Sequence, residues 1–234
     1  LNHDPNLLNT DISLSEVKNI HGKPIYKLSI NKILENCNFA IQSMKVPVPF
    51  NSYNMGENIN SSYAEYLPTI SADDNHFFIT RRLEYKDGSS NEDFFVSQKN
   101  NDGHWSPIIQ LDQPLNTGGN EGALSLSANG HLLVFTACDR PNGYGNCDLY
   151  FSYKTKAWSI PLNLGEHVNS IRSDKQPSLS PDGKYLYFVS NREGGYGGLD
   201  IWRTEIVYNS YGGINFKEPE NIGEFVCVYV SPTV

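Results

Sequence analysis

Acidic side chains recur at fixed places in this sequence. Glu65, Glu121 and Asp174 stand roughly 55 residues apart. Each is followed by an arginine, at Arg82, Arg140 and Arg192. Paired charges of this kind can bind a peptide, a glycan or a cation, or they can neutralise one another inside a fold. A second acidic series, Asp93, Asp148 and Asp200, follows the same interval. A carboxylate just after a loop is well placed to accept backbone N–H groups from that loop, so a structural role is expected there.

Other chemistry finds little support. The six histidines, at 3, 21, 76, 104, 131 and 167, show no metal-ligand spacing with one another or with a cysteine. There is no G-x-S-x-G elbow for a nucleophilic serine. Asp73-Asp74 fits no calcium loop. The loop Gly194-Gly195-Tyr196-Gly197-Gly198 has the composition of a phosphate cradle. Such a cradle must open onto a helix N-terminus, and this one opens onto the strand-like "LDIW". It reads as a hairpin loop, as does its counterpart around Tyr144. No catalytic residue, cofactor or metal site is assigned.

The elements that must hold these residues are repeats. "EYLPTISADDNHFFIT" from Glu65, "EGALSLSANGHLLVFT" from Glu121 and "DKQPSLSPDGKYLYFVS" from Asp174 align with one another. Further along, "EDFFVS", "CDLYFS" and "LDIWRT" align, then "HWSPIIQL", "AWSIPLNL" and "NFKEPENI", then "LDQPLN", "LGEHVN" and "IGEFVC". Turn chemistry such as Pro181-Asp182-Gly183 separates short apolar runs. Each unit therefore reads as four strands, with the Pro-bearing fourth on an outer edge because Pro cannot donate to a ladder. Stacked four-stranded units of this length are propeller blades. The expected fold is all-β, with about three blades of a ring, six-bladed if whole, and a short N-terminal helix.

The predicted boundaries follow from that register. Residues 1–44 form an N-terminal segment in which Ile30, Ile33, Leu34, Cys37, Ile41 and Met44 mark one face of a helix. Residues 45–59 resemble a lone fourth strand. Blades are expected at 60–116, 117–169 and 170–226, with an atypical tail at 227–234. Three blades do not close a ring. The chain is thus expected to be a piece of a longer propeller, or to pair with a second copy as three plus three. Its lack of an initiator Met or a signal peptide agrees with a processed piece.

Antiparallel pairing would bring Glu65, Glu121 and Asp174 to one end of the sheets with Arg82, Arg140 and Arg192. On the innermost strand, these would form a charged rim around a channel. Tyr144 and Tyr196, at matching loop positions, would share that face and offer contact area at low entropy cost. Cys138 and Cys147 bracket the short loop "CDRPNGYGNC", and the flanking strands would set them side by side as a disulfide. A disulfide suits an oxidising compartment. With 18 basic and 26 acidic residues the net charge is −8, which disfavours nucleic acid. No run approaches the ~20 apolar residues of a membrane span.

The motifs "NLGEHVNS", "QPSLSPDGKYLYFVSNREGGYGGLDIW" and "FTACDRPNGYGNCDLYFS" resemble the WD-like repeat with a Pro-Asp dipeptide found in TolB-type propellers. The resemblance is strongest to the propeller of multidomain OmpA-family envelope lipoproteins of Bacteroidetes, some of them linked to type IX secretion, and it covers roughly residues 33–226. It implies a periplasmic, outer-membrane-associated, non-enzymatic scaffold. The implied partner is an envelope protein, such as a secretion component. Neither the helical-repeat domain nor the peptidoglycan-binding domain of that family lies in this chain, and the tail from Cys227 departs from its pattern. The alternative is a glycan- or peptide-binding propeller of a hydrolase.

Overall fold

The computed structural model describes residues 25–48, 51–210 and 213–223. The predicted tail at 227–234 lies outside them. The chain divides into two units, residues 1–54 and 55–234. The first carries α1 (Ile25–Lys45), which contains all six of the apolar helix positions named above. Among the described residues, the second carries every strand.

The second unit holds three antiparallel sheets, two of four strands and one of five. The first runs in the order β1 (Ala64–Ile70), β2 (His76–Glu84), β3 (Ser90–Gln98), β4 (Ile109–Gln110). The second follows as β5 (Asn120–Leu126), β6 (Leu132–Cys138), β7 (Cys147–Tyr153), β8 (Leu162–Asn163). The third is β9 (Asp174–Leu179), β10 (Tyr185–Ser190), β11 (Asp200–Tyr208), with β12 (Ile214–Phe216) and β13 (Glu220–Asn221) both on β11. A fourth strand in two pieces is the consequence of Pro219, which interrupts the ladder between them. These are propeller blades: strictly sequential, antiparallel and stacked.

The stacking follows from period-two alternation. Side chains on the two faces of each middle strand go to different cores. Phe78 and Phe94 of the first sheet meet Leu133, Phe135 and Tyr150 of the second. Leu132, Val134, Leu149 and Phe151 of the second meet Leu186, Phe188 and Trp202 of the third. Phe94 and Phe135 touch edge to face, with centroids 5.4 Å apart. β2 and β6 are accordingly buried on both faces over most of their length. β10 departs from the expectation of a strand apolar and covered on both sides. Leu186 and Phe188 are buried, but Tyr185, Tyr187 and Val189 are only half-buried, because no further sheet covers that face among the described residues.

The expected lone strand at 45–59 is a correction. Residues 51–60 carry no strand, and residues 47 and 48 none either. A fourth strand needs a third to pair with, and among the described residues none precedes it. Instead, Met55 and Ile59 close the core formed by Phe77, Ile79 and Phe95. The Asn58 carbonyl accepts from Ile108 N at 2.8 Å, and Asn58 Nδ2 donates to Trp105 O at 2.9 Å.

First strands pack on first strands, β1 on β5 and β5 on β9. Each has a β-bulge, with Leu67, Ala123 and Gln176 at φ of 52°, 54° and 52°. Left-handed backbone is costly for side chains of these types. Here it aims an N–H at the preceding sheet: Ala123 N donates to Thr80 Oγ1 at 3.2 Å, and Gln176 N to Thr136 Oγ1 at 3.0 Å.

Candidate functional site

Glu121 sits directly opposite Ala137, at the end of the β5–β6 ladder, and is fully buried. Its carboxylate accepts from Thr117 N at 3.0 Å, from Thr117 Oγ1 at 2.5 Å and from Arg140 Nη2 at 2.9 Å. Asp174, also fully buried, accepts from Ser170 N at 2.6 Å, Ser170 Oγ at 2.9 Å and Arg192 Nη2 at 2.6 Å. Glu65 repeats the pattern with Ser61 and an arginine at 3.0 Å. In each sheet the guanidinium also reaches the carbonyl that ends the preceding unit, at Ile59, Leu115 or Val168. Each also lies over an aromatic ring of the third strand: Arg81 over Phe95 at 4.4 Å, Arg140 over Tyr150 at 4.7 Å, Arg192 over Trp202 at 5.1 Å.

The arginine of the first sheet is Arg81 and not Arg82. Arg81 stands opposite Glu65 and is buried. Arg82 is one residue on, so its side chain takes the other face of the strand, opposite Glu92, and is exposed. The pairing is also within a sheet and not between neighbours. These clusters join one repeat to the next: acid, hydroxyl, guanidinium and the previous repeat's last carbonyl form one closed set of bonds.

In the second acidic series Asp148 and Asp200 hold their hairpin loops, whereas Asp93 accepts from the side chains of Asn91 and Gln110. Asp148 accepts from Tyr144 N at 2.6 Å and Gly145 N at 3.1 Å, and Asp200 accepts from Tyr196 N and from Gly197 N at 3.1 Å. Gly143 and Gly195 leave room for these carboxylates, since a Cβ at either position would overlap the aspartate's Oδ2. The fourth strand contributes a carboxamide to each aspartate. Gln110 Nε2 donates to Asp93 at 2.7 Å, Asn163 Nδ2 to Asp148 at 3.3 Å and Asn221 Nδ2 to Asp200 at 3.3 Å. These amides were not among the expected site residues, although they occupy one position in the aligned "HWSPIIQL", "AWSIPLNL" and "NFKEPENI" segments.

Burial holds the Asp148 carboxyl above the usual carboxylate range, against the lowering effect of its N–H donors. Burial, and next the charge of Glu121 in the adjacent sheet, does the same to Asp93. Cys138 and Cys147 stand directly opposite on β6 and β7 and form a disulfide that closes the Tyr144 loop.

What the loops present outward is tyrosine. Tyr144 is 46% exposed and Tyr196 63%. The hairpin between β2 and β3 adds a third, Tyr85, at 49%. The sequence does show this tyrosine, in "EYKDGSS", but in a tight turn without the glycines that mark the other two loops. All three lie on the connection between second and third strands, hence at one end of the stack.

No known protein family matches the sequence, and no curated protein does. Solved structures with a similar course of the chain include TolB from Acinetobacter baumannii, with a TM-score of 0.42 and 20% identity over 68% of this chain and 33% of that one. A putative TolB from Agrobacterium tumefaciens gives 0.36 and 17%, over 70% and 63%. A thermostable family-43 glycoside hydrolase gives 0.47 and 11%, over 71% and 62%. The chain thus spans from about a third to under two thirds of these structures. The propeller-blade assignment rests on the sheet topology. Among the described residues, no helix is long and apolar enough to cross a membrane.

Proposed function

We propose that the stacked sheets are a non-enzymatic protein-interaction module of the bacterial cell envelope, acting in the periplasm at the outer membrane. The partner would be an envelope protein such as a secretion component. The observation that carries the reading is the row Tyr85, Tyr144 and Tyr196. Exposed aromatic side chains on hairpin tips offer large contact area at low entropy cost. Asp148 and Asp200 hold two of those tips in place from below. The disulfide supports an oxidising compartment.

A hydrolase reading would require convergent acids or a nucleophile with a base. The buried acids instead recur once per sheet and are taken up by internal bonds. The arginine pairs lie buried at the same end of the sheets as the tyrosines and support that end from within. Completion of a ring by a second copy of the chain belongs to this proposal too.

The test is photo-crosslinking in the envelope of a producing bacterium, with a photoreactive residue at Tyr144 or Tyr196 and a control at Tyr208 on β11. A single envelope protein crosslinked from the loops, and absent from the control, is the expected result. No crosslink from either loop overturns the reading. A crosslink to the chain itself would identify the second copy as the partner.

A further inference from the structure

The two clefts between adjacent sheets are built from the same repeat positions but are not filled alike. Between the second and third sheets, Leu132, Phe151 and Tyr153 pack with Ile206 and Phe216. Phe151 lies 5.4 Å from Tyr153 and 6.0 Å from Phe216, centroid to centroid. The backbone bonds Lys154 N to His131 O and Ile206 N to Lys184 O show that Lys154 and Ile206 hold equivalent places. Ladder pairs His76–Gln98 and Leu132–Tyr153 align the facing strands in the same way.

Between the first and second sheets, those positions therefore read differently. His76 replaces Leu132, Val96 replaces Phe151, Gln98 replaces Tyr153 and Lys154 replaces Ile206. Smaller and ionisable side chains stand where the other cleft is packed with hydrocarbon. The result is a cavity of about 320 Å³, mostly apolar, walled by Phe78, Ile109 and Trp158 and open to solvent. That is the lower end of the roughly 300–1,000 Å³ of small-ligand sites.

The polar groups of the cavity define what would enter it. Lys154 Nζ stands 5.5 Å from the Trp158 ring centroid. Among the described residues, no carboxylate forms an ion pair with it. The nearby Asp73 carboxylate is bound by Ser71 Oγ and Asn75 N, and lies in an adjoining depression that His76, Lys154 and Trp158 also line. The other acid of that turn, Asp74, is paired with Lys99. Ile109 belongs to β4, whose outer edge has no strand partner among the described residues, with the Ile108 N–H just before it taken by Asn58 O. A free edge beside an apolar slot can take an extended backbone, with a side chain in the slot.

The geometry points to a binding site for the C-terminal residue of a peptide. Its apolar side chain fills the slot against Trp158, its carboxylate meets Lys154, and its backbone runs along β4. This site is separate from the tyrosine row and does not depend on the partner proposed for it.

Calorimetric titration of the chain with N-acetyl-Ala-Ala-Phe, its C-terminal amide and 3-phenylpropionate tests it. The peptide acid should bind at least about tenfold more tightly than the amide, the scale of one charge-assisted contact. Lys154→Met should remove that difference. Val96→Phe, which restores the residue of the filled cleft, should abolish binding of the peptide without lowering the unfolding midpoint. If Val96→Phe fails to fold, Gln98→Tyr serves the same purpose from the next position on that face. The proposal is overturned if the acid gives no heat, if acid and amide bind equally, or if Lys154→Met leaves the preference intact. Binding of 3-phenylpropionate as tight as that of the peptide would overturn the peptide assignment.

Discussion

Arg140 lies over the ring of Tyr150 while its Nη2 holds the buried carboxylate of Glu121 at 2.9 Å. The guanidinium thus satisfies a charge that has no access to water. Removing one partner of a buried pair costs about 3–5 kcal/mol, because the other is left uncompensated. Arg140→Met should therefore lower stability by an amount in that range, measured by urea unfolding. The double variant Arg140→Met/Glu121→Gln should recover most of the loss, since no net charge then stays buried. Equal stability of the two variants would mean that the ion pair is not the source of the effect.

The disulfide closes a short loop, with Cys138 and Cys147 separated by nine positions. Loop-closure entropy for a ring of this size gives about 2–3 kcal/mol. Cys138→Ala/Cys147→Ala should lower the unfolding free energy by that amount. The wild type under reductant should match the variant. A reductant effect on the variant itself would point to another thiol.

Asp93 gives a signed pH dependence. Its folded carboxyl is held above its ordinary value by burial and by Glu121, so the folded state binds a proton more tightly than the unfolded chain does. Stability from this group is fully present below the ordinary carboxylate range and is lost as pH rises through the raised value. Asp93→Asn should remove that slope, so wild type minus variant should fall with rising pH. Asp73 works in the opposite sense. Hydrogen bonds from Ser71 and Asn75 lower it to about 2, and its contribution is lost only as pH falls toward that value. A difference curve that rises with pH would contradict the assignment for Asp93.

Gly195→Ala should unseat the Tyr196 loop, because the added methyl would occupy the place of the Asp200 carboxylate. Gly198→Ala, with open space around its Cβ position, is the control. Amide exchange at Tyr196 and Gly197 should accelerate strongly in the first variant and stay near wild type in the second. Equal protection in both would show that Asp200 does not hold the loop.

Much of this was legible in the chain. Repeats in a propeller keep their alignment because every strand must meet the same neighbours, so the three units, the turns and the loop-holding aspartates could be read directly. Arg81 could not be separated from Arg82 without knowing which face of β2 turns toward Glu65, since adjacent residues point to opposite sides. Gln110, Asn163 and Asn221 share a column but differ in type, and a carboxamide attracts notice only once a buried carboxylate is found opposite. The bulge at Leu67, Ala123 and Gln176 has no residue signature at all, and what the N–H meets, a hydroxyl of the preceding sheet at Ala123 and Gln176, shows only in the structure. The unequal clefts became visible only when the stacking showed that Val96 and Phe151 do the same job in successive sheets.

Thr80 and Thr136 each receive an N–H from the sheet that follows, never from the one before. The equivalent residue on β10 is Val189, which has no oxygen to offer. These two bulge-to-hydroxyl joints therefore point the same way, like shingles, while Thr69 Oγ1 and Glu92 N of the first sheet donate in the other direction, to Leu124 O and Asn120 Oδ1. The series of hydroxyl catches has no member on β10. Such an array has a direction as well as a length. A later sheet can be lost while leaving its predecessor's hydroxyl free to turn to water, whereas loss of an earlier one strands the N–H of a strained bulge in its successor.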